Sequence, residues 1–251
     1  MVNATLQASG DKIRLSFGIS NLGTGEVITT EMYEFNEGDI FQYQDKIADL
    51  ALEKMSILGK PAGSNNRISK DPEIYKKHII AHGHYTSWTQ DGHYKAIQMA
   101  EEMLAKEPKN YRIRQFYAWI IQQKVYLGLS ENRVADLEKS LELATENLKS
   151  HDEDWIDAIA LVAGNEGLLG RYSEACARLP RMNKLLEEKK PNSGDVAMTA
   201  WINQNCEQYD KAASLYENVF ERNPHFPAWV RYYYVYTLLA SNRLEEAEKF
   251  A

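Results

Sequence analysis

His78, His82 and His84 fall within seven residues, the first two one helical turn apart, a spacing at which two imidazoles can share a zinc ion. A metalloprotease helix would carry a glutamate after His78, where Ile79 stands, and no cysteine is near; packed or surface histidines are the favoured reading and no metal is expected. Cys176 and Cys206, 30 apart, sit in helical patterns where small apolar residues belong. Neither a disulfide framework nor a redox role is expected of them, and a reducing compartment follows as the default. The chain has no Gly-x-Ser-x-Gly, and Gly23-Thr24-Gly25 joins two strands without opening a helix, so it is no phosphate loop. These absences predict a chain that is not an enzyme in its own right and takes no cofactor. Gly164 and Gly167, inside a helical pattern, suit close helix packing. Aromatic side chains are the larger resource, with 15 Tyr, 5 Trp and 7 Phe. In the segment from Trp229 to Tyr236, Trp229, Tyr232, Tyr233 and Tyr236 recur at i, i+3, i+4 and i+7 and share one helical stripe, a pattern for binding rather than for bond-making.

The elements that hold these residues must form in a chain of 251 residues, 44% hydrophobic and 26% charged, ample for a core. A net charge of −7 argues against nucleic acid as a direct partner, because phosphate binding needs a basic face. The longest apolar run, Ala158 to Gly164, is about a third of the ~20 residues a membrane span requires. Met1-Val2-Asn3-Ala4 lacks the features of a signal peptide. The expectation is a cytoplasmic protein, or the cytoplasmic part of one, with no membrane contact.

Residues 1–60 read as an α/β segment. Ile13, Leu15, Phe17 and Ile19 alternate, as do Ala4, Leu6 and Ala8, on either side of a tight turn at Ser9-Gly10-Asp11. Val27 to Tyr33 is rich in β-branched residues, which completes a three-stranded antiparallel meander. Gly38-Asp39 opens a helix whose apolar face is Ile40, Phe41, Tyr43, Ile47, Leu50, Ala51 and Met55. Residues 61–70 form a linker. From residue 71 to 251 the pattern is helical throughout, with breaks at Gly92, Lys109-Asn110, Gly128, Ser150-His151, Gly170, 190–194, 223–227 and Asn242.

That second part repeats. Gly170-Arg171-Tyr172-Ser173-Glu174-Ala175, Glu207-Gln208-Tyr209-Asp210-Lys211-Ala212 and Asn242-Arg243-Leu244-Glu245-Glu246-Ala247 align without gaps, their alanines 37 and 35 apart. A weaker copy runs from Asp91 to Ala96 and on to Glu107-Pro108, and residues 110–150 fill a divergent unit. The pattern resembles the tetratricopeptide repeat, with its period of about 34. The resemblance implies helix hairpins stacked as a superhelix, so the fold class is mainly α with a small α/β segment in front. Ala175, Ala212 and Ala247 then lie where two helices approach, Tyr172, Tyr209 and Leu244 wedge the turns, and Pro108 and Pro224 stop the second helices.

The front segment carries a second resemblance. The strand pair, Leu22 to Val27, Tyr33, and Asp39-Ile40-Phe41-Gln42-Tyr43-Gln44, with His82-Gly83-His84-Tyr85 and Asn223-Pro224-His225-Phe226-Pro227-Ala228-Trp229 further on, are similar to the end of a TolB-like domain joined to tetratricopeptide repeats. That arrangement occurs in bacterial class III adenylate/guanylate cyclases and in winged-helix regulators of the CadC type. The chain departs from it at Thr29-Thr30, where the family places a tryptophan, and at Asp91-Gly92-His93, which is one residue short. Neither a cyclase domain nor a basic recognition helix is present, so the resemblance implies a fragment of a longer chain, with an exposed strand edge. It also implies a non-catalytic regulatory or protein-interaction region, of a cyclase-type signalling protein or of a DNA-binding regulator. In such arrays the first helix of each hairpin lines a concave groove. On the repeat alignment that face carries Trp201, Gln204, Asn205, Trp229, Tyr232 and Tyr236, suited to a protein or peptide partner or to self-association. The same rings could instead fill the interface with a further repeat, and the spacing leaves both readings open.

Overall fold

A computed structural model describes residues 2–20, 26–40, 42–44, 46–47, 68–189, 191–222 and 228–250. The turn at 21–25, Phe41, Leu50, Ala51 and Met55 of the expected helix, residues 61–67 of the linker and the turn at 223–227 lie outside the described residues. The chain divides into two compact units, Met1–Tyr75 and Lys76–Ala251.

The first unit contains the antiparallel sheet β1 (Val2–Ser9), β2 (Lys12–Ser20) and β3 (Val27–Asn36), in the order β1-β2-β3. Ser9 pairs with Lys12 across a two-residue loop, and Gly10 supplies the positive φ of 62° that such a loop demands. Alternation on β2 buries Ile13, Phe17 and Ile19, and Ile13 faces Phe35 of β3. A 3-10 turn at Glu37–Asp39 follows, and Tyr43 stacks on Phe35 at 4.4 Å between ring centroids. The backbone edges of the sheet are β1 and β3; on β1 the described side chains are exposed.

The second unit is helical, and no strand occurs among the described residues from 71 onward. Its helices are α1 (Pro72–Tyr85), α2 (Gln90–Lys106), α3 (Tyr111–Tyr126), α4 (Arg133–Ser150), α5 (Ile156–Leu168), α6 (Tyr172–Ala177), α7 (Leu179–Glu188), α8 (Ser193–Asn205), α9 (Tyr209–Arg222), α10 (Ala228–Ala240) and α11 (Leu244–Phe250). α3/α4, α5/α6–α7, α8/α9 and α10/α11 pack as hairpins, and α1 meets α2 through the Lys77–Glu102 ion pair. The side chains of Thr89, Asn110, Asn132 and Asn192 cap four of them by accepting from first-turn N–H groups.

One turn geometry recurs. Gly128, Gly170, Glu207 and Asn242, each two residues past a first helix, have φ between 60° and 81°. The next residue returns its N–H to a carbonyl five back: Leu129 to Lys124, Arg171 to Glu166, Gln208 to Asn203 and Arg243 to Leu238. This is the Schellman end that turns a chain sharply out of a helix, and it explains why the aligned motif starts where it does. Ala96, Ala175, Ala212 and Ala247 are buried, as close helix approach requires.

Three expectations need correction. The first break falls at 86–89, and Gly92 lies inside α2, where an added Cβ would stand 2.2 Å from Ser87 Oγ. Tyr172 and Leu244 do not wedge their turns; they sit at the first helical position, pointing outward, and are 64% and 58% exposed. Cys176 and Cys206 form a disulfide, their Cα atoms 5.7 Å apart. Stacking brings α6 of one hairpin against the end of α8 in the next, a proximity that a separation of 30 residues conceals, and the pairing removes cysteine usage as an argument for a reducing compartment.

Candidate protein-interaction surface

Trp201 projects from α8 toward α5 and α3. Its ring lies 6.2 Å from Trp119 of α3 and 6.3 Å from Tyr233 of α10. An added Cβ on Gly164 of α5 would stand 2.3 Å from Trp201 Cη2, so the glycine is the space the indole occupies. Side chains of the first helices thus touch across non-adjacent hairpins. The first helices α3, α8 and α10 thus share a side on which these rings meet. The Trp201 indole N–H donates to the Tyr233 hydroxyl, and Tyr126 of α3 hydrogen bonds to the same group.

Polar groups knit the same side. The Asp157 carboxylate accepts from Gln115 Nε2 at 2.7 Å and Trp119 Nε1 at 3.1 Å. Burial drives its pKa up, the two hydrogen bonds hold it down, and the Asp195 charge adds a smaller upward push. Gln122 donates to Asn165, which donates to Ser140, whose hydroxyl donates to the Ala118 carbonyl. Gln204 Oε1 accepts from Thr237 Oγ1 at 2.8 Å. Each of these chains crosses a hairpin boundary and satisfies amides that would be costly if buried alone.

The expected partner-binding residues therefore separate into two groups. Trp201 and Gln204, 3% and 5% exposed, do not line an open groove. They fill interfaces between successive hairpins, because α5 offers a glycine to the ring and α10 a hydroxyl to the amide. Asn205 is exposed, Trp229 is half-buried with its ring 6.1 Å from Tyr233, and Tyr232 and Tyr236 are 67% and 50% exposed. Leu239, 52% exposed, extends that stripe on α10. The set of Gln115, Trp119, Gln122 and Tyr126 on this side of α3 is absent from the sequence expectations although it recurs at i, i+4, i+7 and i+11 in the divergent unit; the period is present, but no repeat motif marks it.

His78 and His84 are half-buried and His82 is exposed. His78 lies 4.9 Å edge-on to Phe116, and His82 is 6.0 Å from His78. Burial first, and the neighbouring His82 second, push the His78 pKa down to about 4. Among the described residues no group of three His, Cys, Asp or Glu side chains is placed to hold a metal, and no helix is long and apolar enough to cross a membrane.

Comparison with known proteins agrees with the fold. Residues 207–251 match the tetratricopeptide repeat family. Among curated proteins, none matches the chain. Among solved structures the chain is similar to TTC0263, a thermophilic tetratricopeptide protein of Thermus thermophilus. The two are 12% identical, with 70% of this chain and 87% of that chain covered and a TM-score of 0.55. A point mutant of MamA (14% identical, 72% and 95% covered) and MamA MSR-1 (15%, 72% and 93%) give TM-scores of 0.38 and 0.39, too low to bear weight. The fold is a tetratricopeptide-type helix-hairpin array preceded by a small sheet, an architecture suited to protein–protein interaction and generally not to catalysis.

Proposed function

We propose that this chain is a non-catalytic interaction region whose last hairpin, together with the end of α8, offers Asn205, Trp229, Tyr232 and Tyr236 to a protein or peptide. The observation that carries this reading is the stripe of large, uncharged, exposed side chains on α10 in an array whose preceding first helices, α3, α5 and α8, are largely covered. Tyrosine supplies apolar area and a hydroxyl at little entropic cost, which suits protein recognition. The resemblance of the front segment to the end of a TolB-like domain favours a bacterial class III cyclase-type signalling protein as the parent, acting in the cytoplasm. The alternative parent is a CadC-type winged-helix regulator, and the coding sequence upstream of residue 1 decides between them. The binding reading is tested by capture from lysate on immobilised chain beside a Tyr232→Ala/Tyr236→Ala variant. A partner retained by the parent and lost by the variant supports it; equal retention by both refutes the assignment of the surface.

A further inference from the structure

The Cys176–Cys206 bond lies at the edge of a joint that is complete without it. Ala175, Leu179 and Met182 of α6 and α7 pack with Trp201 and Ile202 of α8 in one buried cluster, which Cys206 only borders. Arg178, between α6 and α7, donates to the buried Glu166 of α5 through Nε at 2.7 Å and Nη2 at 2.6 Å, and so fixes the break between the two helices. At the other end of α6, Arg171 pairs with Glu138 of α4. The backbone that carries the sulfurs is held more lightly. α6 is six residues long, too short to persist on its own, and buries only Ala175. Cys206 ends α8 and leads into Glu207, whose φ of 61° is disfavoured for a residue with a Cβ. Both cysteines are half-buried rather than enclosed.

We propose that Cys176–Cys206 is a reversible redox latch: a dithiol reductant opens it on the folded chain, and opening frees α6 and the turn at 206–208 while the array stays assembled. The step is a two-electron thiol–disulfide exchange. A thiolate of the dithiol attacks one cysteine sulfur, and the other cysteine leaves as a thiolate. The second thiol of the dithiol, also as its thiolate, then displaces the first cysteine from the mixed disulfide. The two protons given up by the dithiol end on Cys176 and Cys206, and the dithiol becomes a cyclic disulfide. Oxidised glutathione closes the latch by the reverse exchange, leaving two molecules of reduced glutathione. A bond enclosed in a core would open only with unfolding, whereas a surface bond across a joint with its own packing opens in the native state. Stacked hairpins contact their neighbours alone, so the loosening stays at this joint. Its mobility thereby follows the thiol–disulfide balance around the protein.

Dithiothreitol added to the folded full chain, with maleimide labelling read by intact mass, should reduce the pair at a rate proportional to its concentration and no faster in urea below the unfolding transition. Helical circular dichroism should be unchanged. Amide hydrogen exchange should quicken at least about tenfold in α6 and at 206–208 and stay the same in α2. Oxidised glutathione should restore the original pattern. Cys176→Ser/Cys206→Ser should exchange as the reduced chain does, with or without dithiothreitol. Reduction that proceeds only as urea unfolds the chain, reduction that removes the helical signal, or unchanged exchange in α6 and at 206–208 overturns the proposal. Because the kinetics are read on the parent chain, a serine variant that fails to fold leaves the test intact.

Discussion

Replacing Gly164 by alanine should damage the array, while the same change three residues on should not. The Cβ of Gly164→Ala would meet Trp201 at 2.3 and 2.8 Å, against about 3.5 Å for carbon atoms in contact. The indole cannot swing aside freely, because Trp119 and Tyr233 flank it and its N–H is engaged. Overpacking of this kind costs about 2–3 kcal/mol. Alanine regains about 1 kcal/mol of helix propensity, leaving a net loss of about 1–2 kcal/mol. Gly167 has nothing within 4 Å of an added Cβ, so Gly167→Ala should be neutral or up to about 1 kcal/mol more stable. Urea unfolding followed by tryptophan fluorescence and circular dichroism separates the pair. In a Trp201→Leu background, itself about 2–4 kcal/mol less stable, the cost of Gly164→Ala should vanish. Equal stability of the two glycine variants in the parent background would refute the placement of the ring, and with it the statement that Trp201 packs rather than binds.

Other outcomes follow from the same geometry. His78 is held neutral by burial and by His82, with a pKa of about 4 against about 6.5 unfolded. Above pH 6.5 both states are neutral; below it the unfolded chain takes up a proton that the folded chain refuses. Stability should therefore fall by about 2 kcal/mol as the pH drops from about 6.5 to 4, and His78→Phe should flatten that slope in pH-dependent urea titrations. Glu207 turns its hairpin at φ 61°, where Gly128 and Gly170 serve elsewhere. Glu207→Gly should raise stability by about 0.5–1 kcal/mol, and a destabilised variant would contradict the common turn. The Cys176–Cys206 bond closes a separation of 30 residues, so reduction should cost about 3.5 kcal/mol on chain-entropy grounds. An unchanged melting temperature on reduction, with both thiols free to label beforehand, would show the pair unbonded.

The array was legible in the sequence for a physical reason: stacking forces a small residue and a sharp turn at fixed intervals, and Ala175, Ala212 and Ala247 record it. The meander was legible because Ile13, Phe17 and Ile19 obey the two-residue period of a strand with one covered face. The site was only half legible. A helical stripe states which residues share a face, not what lies opposite, so Trp201 and Tyr236, six positions before their turns in adjacent hairpins, look alike in sequence. Gly164 and Thr237, which decide that Trp201 and Gln204 are covered, belong to other helices. Cys176 and Cys206 were misread for the same reason, since their contact is made by the stacking and not by their spacing. Gly92 misled because glycine serves both to break a helix and to admit a tight approach, and here Ser87 Oγ and the His84 carbonyl crowd it.

Whether the exposed tyrosines of α10 meet protein while Trp201 packs within the array is decided by placing a photoreactive benzoylphenylalanine at position 232 or at position 201 in the full chain and irradiating it in lysate. Position 232 should cross-link to protein, a second copy or another chain, and position 201 should yield only links within its own array. Intermolecular cross-links from 201 with none from 232 would contradict the account.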